Sequence, residues 1–324
     1  MAQGVRDAFQ IEQPRRRAQP QGFYLASGLR PTGSGGRLRR GFFGQGNSTG
    51  AMAAILPGRR LHLQHGPIDI VAEAFGNPAA VQAGYMQAAG RFASVLEELV
   101  AELPALRSEG RPVEGRIARR MAAAVAPFRP AFITPMAAVA GAVAEEVLAA
   151  LIGPGIARAY ANNGGDIALW LGEGESLTCA LAASEGADRV TVSEADPVRG
   201  IATSGWRGRS FSLGIADAVT VLARTAAMAD AAATMVANAV VLDHPGILRR
   251  PARELQPDND LGAQLVTVAV PLLSTEERSQ ALIAGFAVAE GYRQRGLIEG
   301  AALFLQGEAM MTGAMALQGR WASD

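Results

Sequence analysis

The sequence predicts an α+β fold in which mixed and antiparallel sheets pack against helices. Short segments of alternating polarity come in runs, and longer segments with apolar residues at helical spacing separate these runs. The two kinds of segment do not alternate regularly, which argues against a parallel α/β sheet. Hydrophobic residues make up 49% of the 324 residues, which is enough for a sizeable core.

The predicted strands alternate in polarity and are bounded by turn residues. Gly66-Pro67 separates the first two strands, which are therefore expected to pair. The predicted strands are residues 60–65, 68–73, 158–162, 166–171, 176–182, 189–193, 200–203, 218–222, 264–271 and 301–306.

The predicted helices begin at capping signals. Asn77-Pro78 opens the first helix, Thr134-Pro135 opens the third, and residues 274–277 form a capping box for the last. The third helix carries Glu145 and Glu146 in an otherwise apolar stretch, so we expect a buried helix and not a membrane span. The predicted helices are residues 79–103, 111–128, 134–151, 226–240 and 274–295.

The ionisable residues exclude several kinds of chemistry. All 30 basic residues are arginines, so no lysine can form a Schiff base, hold pyridoxal phosphate or serve a P-loop. Cys179 is the single cysteine, so an internal disulfide is impossible, and its thiol is either a small core group or a nucleophile. With three histidines beside it, the composition argues against a four-ligand Cys/His zinc site.

Two regions differ in charge and composition. Residues 1–51 contain eight arginines and two acids, and we predict a disordered tail or an artefact of a start assigned upstream of Met52. Residues 52–324 carry the balancing negative charge and are predicted to form one domain. The chain shows neither a secretory signal nor a nucleic-acid footprint, so we expect a cytoplasmic protein without nucleic-acid or membrane partners.

Two glycine-containing turns are candidate ligand sites. The Asn-Asn-Gly-Gly-Asp segment at 162–166 lies between two predicted strands, and it is either an ordinary turn or a loop that a nucleotide approaches. Residues 200–205 end another strand, and the hydroxyls of Thr203 and Ser204 either donate to a phosphate or bond to their own backbone.

The predicted helix at 226–240 is apolar except for three side chains. Asp230, Thr234 and Asn238 are spaced by four residues, so they lie on one face of the helix. A carboxylate in such a helix needs a metal, a charged partner or several donors, because desolvation costs on the order of several kcal/mol. Oxygen ligands of this kind suit Mg²⁺, and the alternative is that Asp230 caps or bonds a neighbouring loop.

Three motifs in this order resemble the ApbE superfamily, whose characterised members are Mg²⁺-dependent FAD:protein FMN transferases. Residues 162–167 are similar to its Asn-x-Gly-Gly-Asp-Ile, residues 201–205 to its (Ile/Val)-Ala-Thr-Ser-Gly, and residues 229–234 to its Ala-Asp-Ala-x-Ala-Thr. The resemblance covers residues 133–240. It implies an ApbE-like, T-fold-related fold with a site for FAD or another flavin nucleotide and Mg²⁺.

The resemblance also implies roles for individual residues. Asp230 and Thr234 would be the metal ligands. Asp217 is a candidate catalytic base, because the family's His-x-x-Asp-Pro-x-Thr-Gly segment is shortened here to residues 210–217, without His or Pro. The chain also lacks the lysine of the family's Ala-Lys-Gly-Tyr stretch and is most similar to a shorter, uncharacterised cytosolic branch. The residues that would bind the nucleotide are Asn162, Gly164, Gly165, Asp166, Thr203, Ser204 and Gly205.

Three functions are open on this basis. The first is transfer of FMN from FAD to a Ser or Thr of a protein, with release of AMP. The second is a non-catalytic flavin-binding or accessory protein that supports a redox or sulfur-amino-acid enzyme. The third is an enzyme that uses the same site for another small ligand.

Overall fold

The computed structural model describes residues 11–12, 50–180 and 189–313. The tail predicted at 1–51 lies outside the described residues except at 11–12 and 50–51, and so do the last two residues of the strand predicted at 176–182. The strands are β1 (Ile11–Glu12), β2 (Met52–Ile55), β3 (Leu61–His65), β4 (Ile68–Gly76), β5 (Ile156–Asn163), β6 (Asp166–Leu171), β7 (Ser176–Ala180), β8 (Arg189–Ser193), β9 (Gly200–Ser204), β10 (Ala218–Ala223), β11 (Leu248–Pro251), β12 (Leu265–Ala269), β13 (Gly300–Leu305) and β14 (Glu308–Gly313). The helices are α1 (Pro78–Phe92), α2 (Val95–Ala101), α3 (Leu103–Leu106), α4 (Arg116–Val125), α5 (Val139–Leu151), α6 (Ala226–Ala239), α7 (Ala252–Leu255) and α8 (Thr275–Gln294), with 3₁₀ turns at Ala126–Phe128 and Pro135–Ala138.

Nine strands form one sheet in the order β14-β13-β10-β9-β6-β5-β4-β3-β2. Strands β1, β7 and β8 form a second sheet, and β11 pairs with β12. Every described pairing is antiparallel. The α+β prediction is therefore confirmed, and the sheets are antiparallel.

The two faces of the large sheet are covered by different layers. In β10, Val219 and Val221 belong to the core beneath the helices, whereas Ala218 and Leu222 belong to the core beneath β7 and β8. A strand buried on both faces has no need for polar alternation. Cys179 of β7 lies in this second core, and burial raises the pKa of its thiol to about 12, so it is a core side chain.

Helix α6 lies at the centre of the helical layer, against β9, β10 and α5. Small residues allow this close approach: a Cβ atom on Gly141 would overlap the carbonyl of Ala226, and one on Gly200 would overlap the backbone before α6. The start of α6 is capped twice. Thr225 Oγ1 accepts from Met228 N–H (3.2 Å), and Glu145 Oε1 accepts from Ala227 N–H (2.8 Å).

Helix α5 confirms the buried helix expected around Glu145 and Glu146. Glu146 is 1% exposed and accepts hydrogen bonds from Arg91 Nε (2.8 Å) and Arg120 Nη1 (3.0 Å), with Arg116 Nε at 3.2 Å. Burial alone would raise the pKa of Glu146, but its arginine partners outweigh that effect and the pKa is lowered. No helix in the described ranges is both long and apolar enough to cross a membrane.

Several element boundaries differ from the prediction. The helix predicted at 79–103 breaks between Phe92 and Val95, because the chain turns there and keeps both side chains buried. The helix predicted from Thr134 begins as a 3₁₀ turn and becomes α-helical at Val139. Strands β1, β2, β11 and β14 were not predicted. The last three contain few of the β-branched and aromatic residues that favour strands.

Candidate functional site

The Asn-Asn-Gly-Gly-Asp segment is a two-residue hairpin turn between β5 and β6. Gly164 and Gly165 both have positive φ (67° and 119°), which glycine adopts without strain. Asn162 Oδ1 accepts from Gly165 N–H (2.8 Å), so Asn162 stabilises the turn. Its neighbour Asn163 donates to the carbonyl of Ala140 at the start of α5 (3.2 Å). The turn is thereby attached to the helical layer.

Asp166 follows this turn and faces the end of β9. Its Oδ1 accepts from Thr203 N–H at 3.3 Å. Burial raises the pKa of Asp166 to about 7, against opposing contributions from the Thr203 hydrogen bond and from the charge of Arg209. The Asn-Gly-Gly-Asp and Ala-Thr-Ser-Gly motifs thus meet through a backbone N–H and a carboxylate.

Asp230 brings the third motif to the same place. Its Oδ2 accepts from Gly141 N–H at 3.0 Å, at the close contact between α5 and α6. Burial raises the pKa of Asp230 well above its usual range, the nearby charge of Asp166 raises it further, and N–H groups of Gly141 and Ala140 oppose both effects. The two carboxyl groups are therefore close enough to repel each other.

The two hydroxyls of the Ala-Thr-Ser-Gly motif lie on opposite faces of the sheet. Thr203 Oγ1 lies 2.9 Å from Thr220 Oγ1, on the face covered by β7 and β8. Ser204 is next in the strand and so faces the helical layer, as Asp166 does. Gly205 has no room for a side chain, because a Cβ atom would overlap the carbonyl of Asp217. Thr203 is thus directed at Asp166 by its backbone N–H and not by its hydroxyl.

Asp217 is fully engaged by neighbouring groups. Its Oδ1 accepts from Trp206 Nε1 (3.2 Å) and pairs with Arg207 Nε (2.8 Å), while its Oδ2 accepts from Gln306 N–H (2.6 Å). These contacts connect the loop after β9 to the end of β13.

The other polar residues of α6 follow Asp230 along the helix. Thr234 is partly buried one turn further on, and its hydroxyl has no hydrogen-bond partner among the described residues. Asn238 Oδ1 accepts from Leu213 N–H (2.9 Å) and from Ser212 Oγ (3.3 Å). Asn238 therefore fixes the loop before β10, whereas the Thr234 hydroxyl is available to a ligand.

Sequence reasoning missed Arg209. Its guanidinium covers Gly164 so closely that a Cβ atom there would overlap it, and its charge lowers the pKa of Asp166. Arg209 is exposed and forms no ion pair within the described chain. The signal in the sequence was weak, because Arg209 lies in a polar loop where arginines are usually solvated.

The carboxylate pair predicts a pH-dependent stability of the unliganded chain. Asp166 and Asp230 retain their protons to higher pH in the folded state than in the unfolded state, where the pKa of Asp is about 3.8. The folded state thus binds more protons between about pH 4 and pH 7, and the free energy of unfolding falls as pH rises through that window. Urea unfolding across the window should show a shallower fall for the Asp166→Asn, Asp230→Asn double variant. Equal pH slopes in the two proteins would contradict the assignment.

The same pair is suited to a hard divalent cation. A cation would relieve the repulsion between Asp166 and Asp230, and Mg²⁺ accepts carboxylate and hydroxyl oxygens. Over residues 11–12, 50–180 and 189–313, no group of three or more His, Cys, Asp or Glu side chains could hold a metal. Two carboxylates and a hydroxyl would leave a Mg²⁺ ion in need of further oxygens, such as those of water or a bound phosphate.

Comparison with known proteins places the chain in a family. Residues 53–311 match the family described as AbpE bacteria. The chain belongs to this family. The matched residues include all three motifs, and the match confirms the resemblance to the ApbE superfamily.

The relatives of this chain include archaeal proteins that are named UPF0280 protein. The one from Methanothrix thermoacetophila is 39% identical over 131 residues, which cover 39% of this chain and 53% of the relative. The one from Methanopyrus kandleri is 35% identical over 176 residues, which cover 53% of this chain and 67% of the relative. The chain thus spans about half the length of the first of these relatives.

One solved structure is also similar to this chain. It is the apo form of the flavinyl transferase ApbE from Pseudomonas stutzeri. The match has 14% sequence identity and a TM-score of 0.33, and it covers 81% of this chain and 93% of the other.

Proposed function

We propose that this AbpE bacteria family member binds a flavin nucleotide with Mg²⁺ and transfers FMN from FAD to a Ser or Thr hydroxyl of a protein. The observation that supports this most is the carboxylate pair. Asp166 and Asp230 come from two different motifs, and burial and mutual repulsion raise the pKa of Asp230. Such a pair destabilises an unliganded fold, and a bound cation would offset that cost by neutralising the two charges.

In this proposal Asp230 and Thr234 hold Mg²⁺, with Asp166 as the adjacent carboxylate. Asp230 is oriented by Gly141 N–H, and the Thr234 hydroxyl lies one helical turn away on the same face. When bound, Mg²⁺ would neutralise charge on the pyrophosphate of the nucleotide.

The glycine turn and its arginine would receive the phosphates. Gly164 and Gly165 present backbone without side chains, so a phosphate can approach closely. Arg209, which covers Gly164, can swing onto a phosphate oxygen and form charge-assisted hydrogen bonds. Ser204 lies on the same face of the sheet as Asp166, so its hydroxyl is better placed for the nucleotide than that of Thr203.

The transfer step conserves atoms and charge. The acceptor hydroxyl oxygen forms a bond to the phosphorus of the FMN half, and the bond from that phosphorus to the bridging oxygen breaks. The bridging oxygen leaves with AMP, and the hydroxyl proton passes to a base or to water. The chain's own contribution is to orient the pyrophosphate against the carboxylate pair and the arginine.

One observation favours the alternative, a flavin-binding protein without turnover. Asp217, the candidate base, has both carboxylate oxygens occupied by Trp206, Arg207 and Gln306. Both oxygens are thus engaged before a hydroxyl approaches. Binding would then serve a partner enzyme.

Incubation with FAD, Mg²⁺ and Ser/Thr-containing peptides separates the two functions. Transfer predicts AMP release together with a peptide mass increased by FMN, and both should stop when EDTA removes the metal. Flavin binding in calorimetry without AMP release would support the accessory function. Absence of flavin binding with and without Mg²⁺ would contradict both.

Two glycine variants test the role of Arg209. Gly164 and Gly174 have nearly the same φ (67° and 70°), but a Cβ atom on Gly174 meets nothing within 4 Å. Replacement by Ala should cost each about 1 kcal/mol of stability, because both sites need positive φ. Only Gly164→Ala should displace Arg209 and weaken Mg²⁺-dependent FAD binding, by about tenfold. Equal FAD affinities in calorimetry would remove both the Gly164 turn and Arg209 from the site.

A further inference from the structure

A cavity lies in the helical layer, and neither Asp166 nor Asp230 lines it. It has a volume of about 250 Å³ and opens to solvent between α5, the start of α6 and strand β6. Along α5, Gly141 reaches Asp230, whereas Glu145, Leu148 and Ile152 line this cavity. The lining contains none of Asp166, Asp230, Thr234 and Ser204, so the cavity is not the site of the three motifs.

The cavity combines an apolar floor with guanidinium groups. Leu148, Ile152, Ala168 and Trp170 supply the apolar surface. The charged lining residues are three arginines, Arg120, Arg199 and Arg224, and one acid, Glu145, which is paired with Arg120.

The three arginines differ in how their charge is balanced. Arg120 pairs with Glu145 and Glu146, and Arg224 pairs with Glu299. Arg199 donates only to backbone carbonyls, those of residues 194, 196 and 198, and forms no ion pair in the described ranges. These bonds fix the Arg199 guanidinium. Its charge lowers the pKa of the nearby Asp196 carboxylate, but the two groups form no direct ion pair. The first N–H groups of α6 are already capped, so the arginines are the available anion donors.

We propose that this cavity binds a small organic anion, whose carboxylate or phosphate meets Arg199 and Arg224 and whose apolar body lies against Trp170 and Leu148. The volume is below the range of about 300–1,000 Å³ typical of drug-sized ligands, so the ligand is small. Guanidinium groups recognise both carboxylate and phosphate oxygens through paired hydrogen bonds, and an aromatic side chain accepts a flat apolar body.

Calorimetry on the full chain tests the proposal with two probes, 3-phenylpropionate and phenyl phosphate. We expect at least one to bind, and the tighter probe identifies the preferred head group. Inorganic phosphate and benzyl alcohol, which each lack one half of the ligand, should bind about tenfold more weakly or not at all. Absence of binding by both probes at millimolar concentration, or equal binding of inorganic phosphate, would overturn the proposal.

Two variants locate the binding. Arg199→Gln should weaken the better probe about tenfold, because it removes the charge-assisted hydrogen bonds. Ala149→Phe fills the exposed mouth of the cavity, leaves the bonds of Arg199 intact and should have an equal or larger effect. Arg250→Gln is the matched control, since Arg250 is an exposed arginine paired with Glu254 away from the cavity. Probe affinity that Ala149→Phe leaves unchanged would place the binding elsewhere and refute the assignment.

Discussion

Asp230→Asn is expected to weaken Mg²⁺-dependent nucleotide binding by about 100-fold or more, while the unliganded chain becomes slightly more stable. The amide keeps an acceptor for Gly141 N–H but removes a charge that burial and Asp166 both disfavour. The gain in stability should be about 1 kcal/mol near neutral pH, because folding there must either keep a proton on Asp230 or bury its charge, and asparagine needs neither. Calorimetry with FAD and Mg²⁺ gives the affinity, and thermal unfolding gives the stability.

A matched exposed residue provides the control for this variant. Asp243 follows α6 and is exposed, so Asp243→Asn should change neither quantity by a measurable amount. If Asp230→Asn lowers the melting temperature by many degrees and leaves nucleotide affinity unchanged, the carboxylate has a structural role.

Glu146→Gln is expected to be the more damaging change for folding itself, at about 3 kcal/mol or more. The amide has nearly the same shape, but it leaves the guanidinium groups of Arg91 and Arg120 without their buried counter-charge. Urea unfolding followed by circular dichroism measures the loss. The reason is specific to burial, since Glu146 is 1% exposed.

Glu98→Gln tests whether burial of the carboxylate is the cause of the loss. Glu98 also pairs with Arg91, at 2.7 Å, but its side chain is 39% exposed. Exposed pairs contribute about 0–1 kcal/mol, so this control should remain within that range. Similar losses for the two variants would show that the number of ion pairs matters here and burial does not.

The fold class was predictable because it depends on patterns that a single sequence carries. Alternating segments and capping signals located most strands and helices, including the capping box at Ser274. The short strands β2, β11 and β14 escaped, although each pairs with a neighbouring strand of the chain. They contain few of the β-branched and aromatic residues by which a strand is recognised from sequence.

The candidate site was predictable only in part. The motif order brought Asp166 and Asp230 into one hypothesis, and in the structure the charge of Asp166 raises the pKa of Asp230. Strand alternation could also have separated Thr203 from Ser204, because neighbouring residues in a strand face opposite sides. Arg209 could not be found in this way, since its contact with Gly164 crosses between two loops whose relative position no local pattern encodes.

The alanine-rich contact of α6 with Gly141 and Gly200 has a consequence for how this chain can change over generations. Where two backbones touch, even one added methyl group has nowhere to go, so the distance between α5, α6 and β9 is nearly fixed. Drift in these segments should therefore be confined to exchanges among the smallest side chains. New ligand specificity would then arise in loops such as 206–214, between β9 and β10, while the position of the Asp230 carboxylate stays the same.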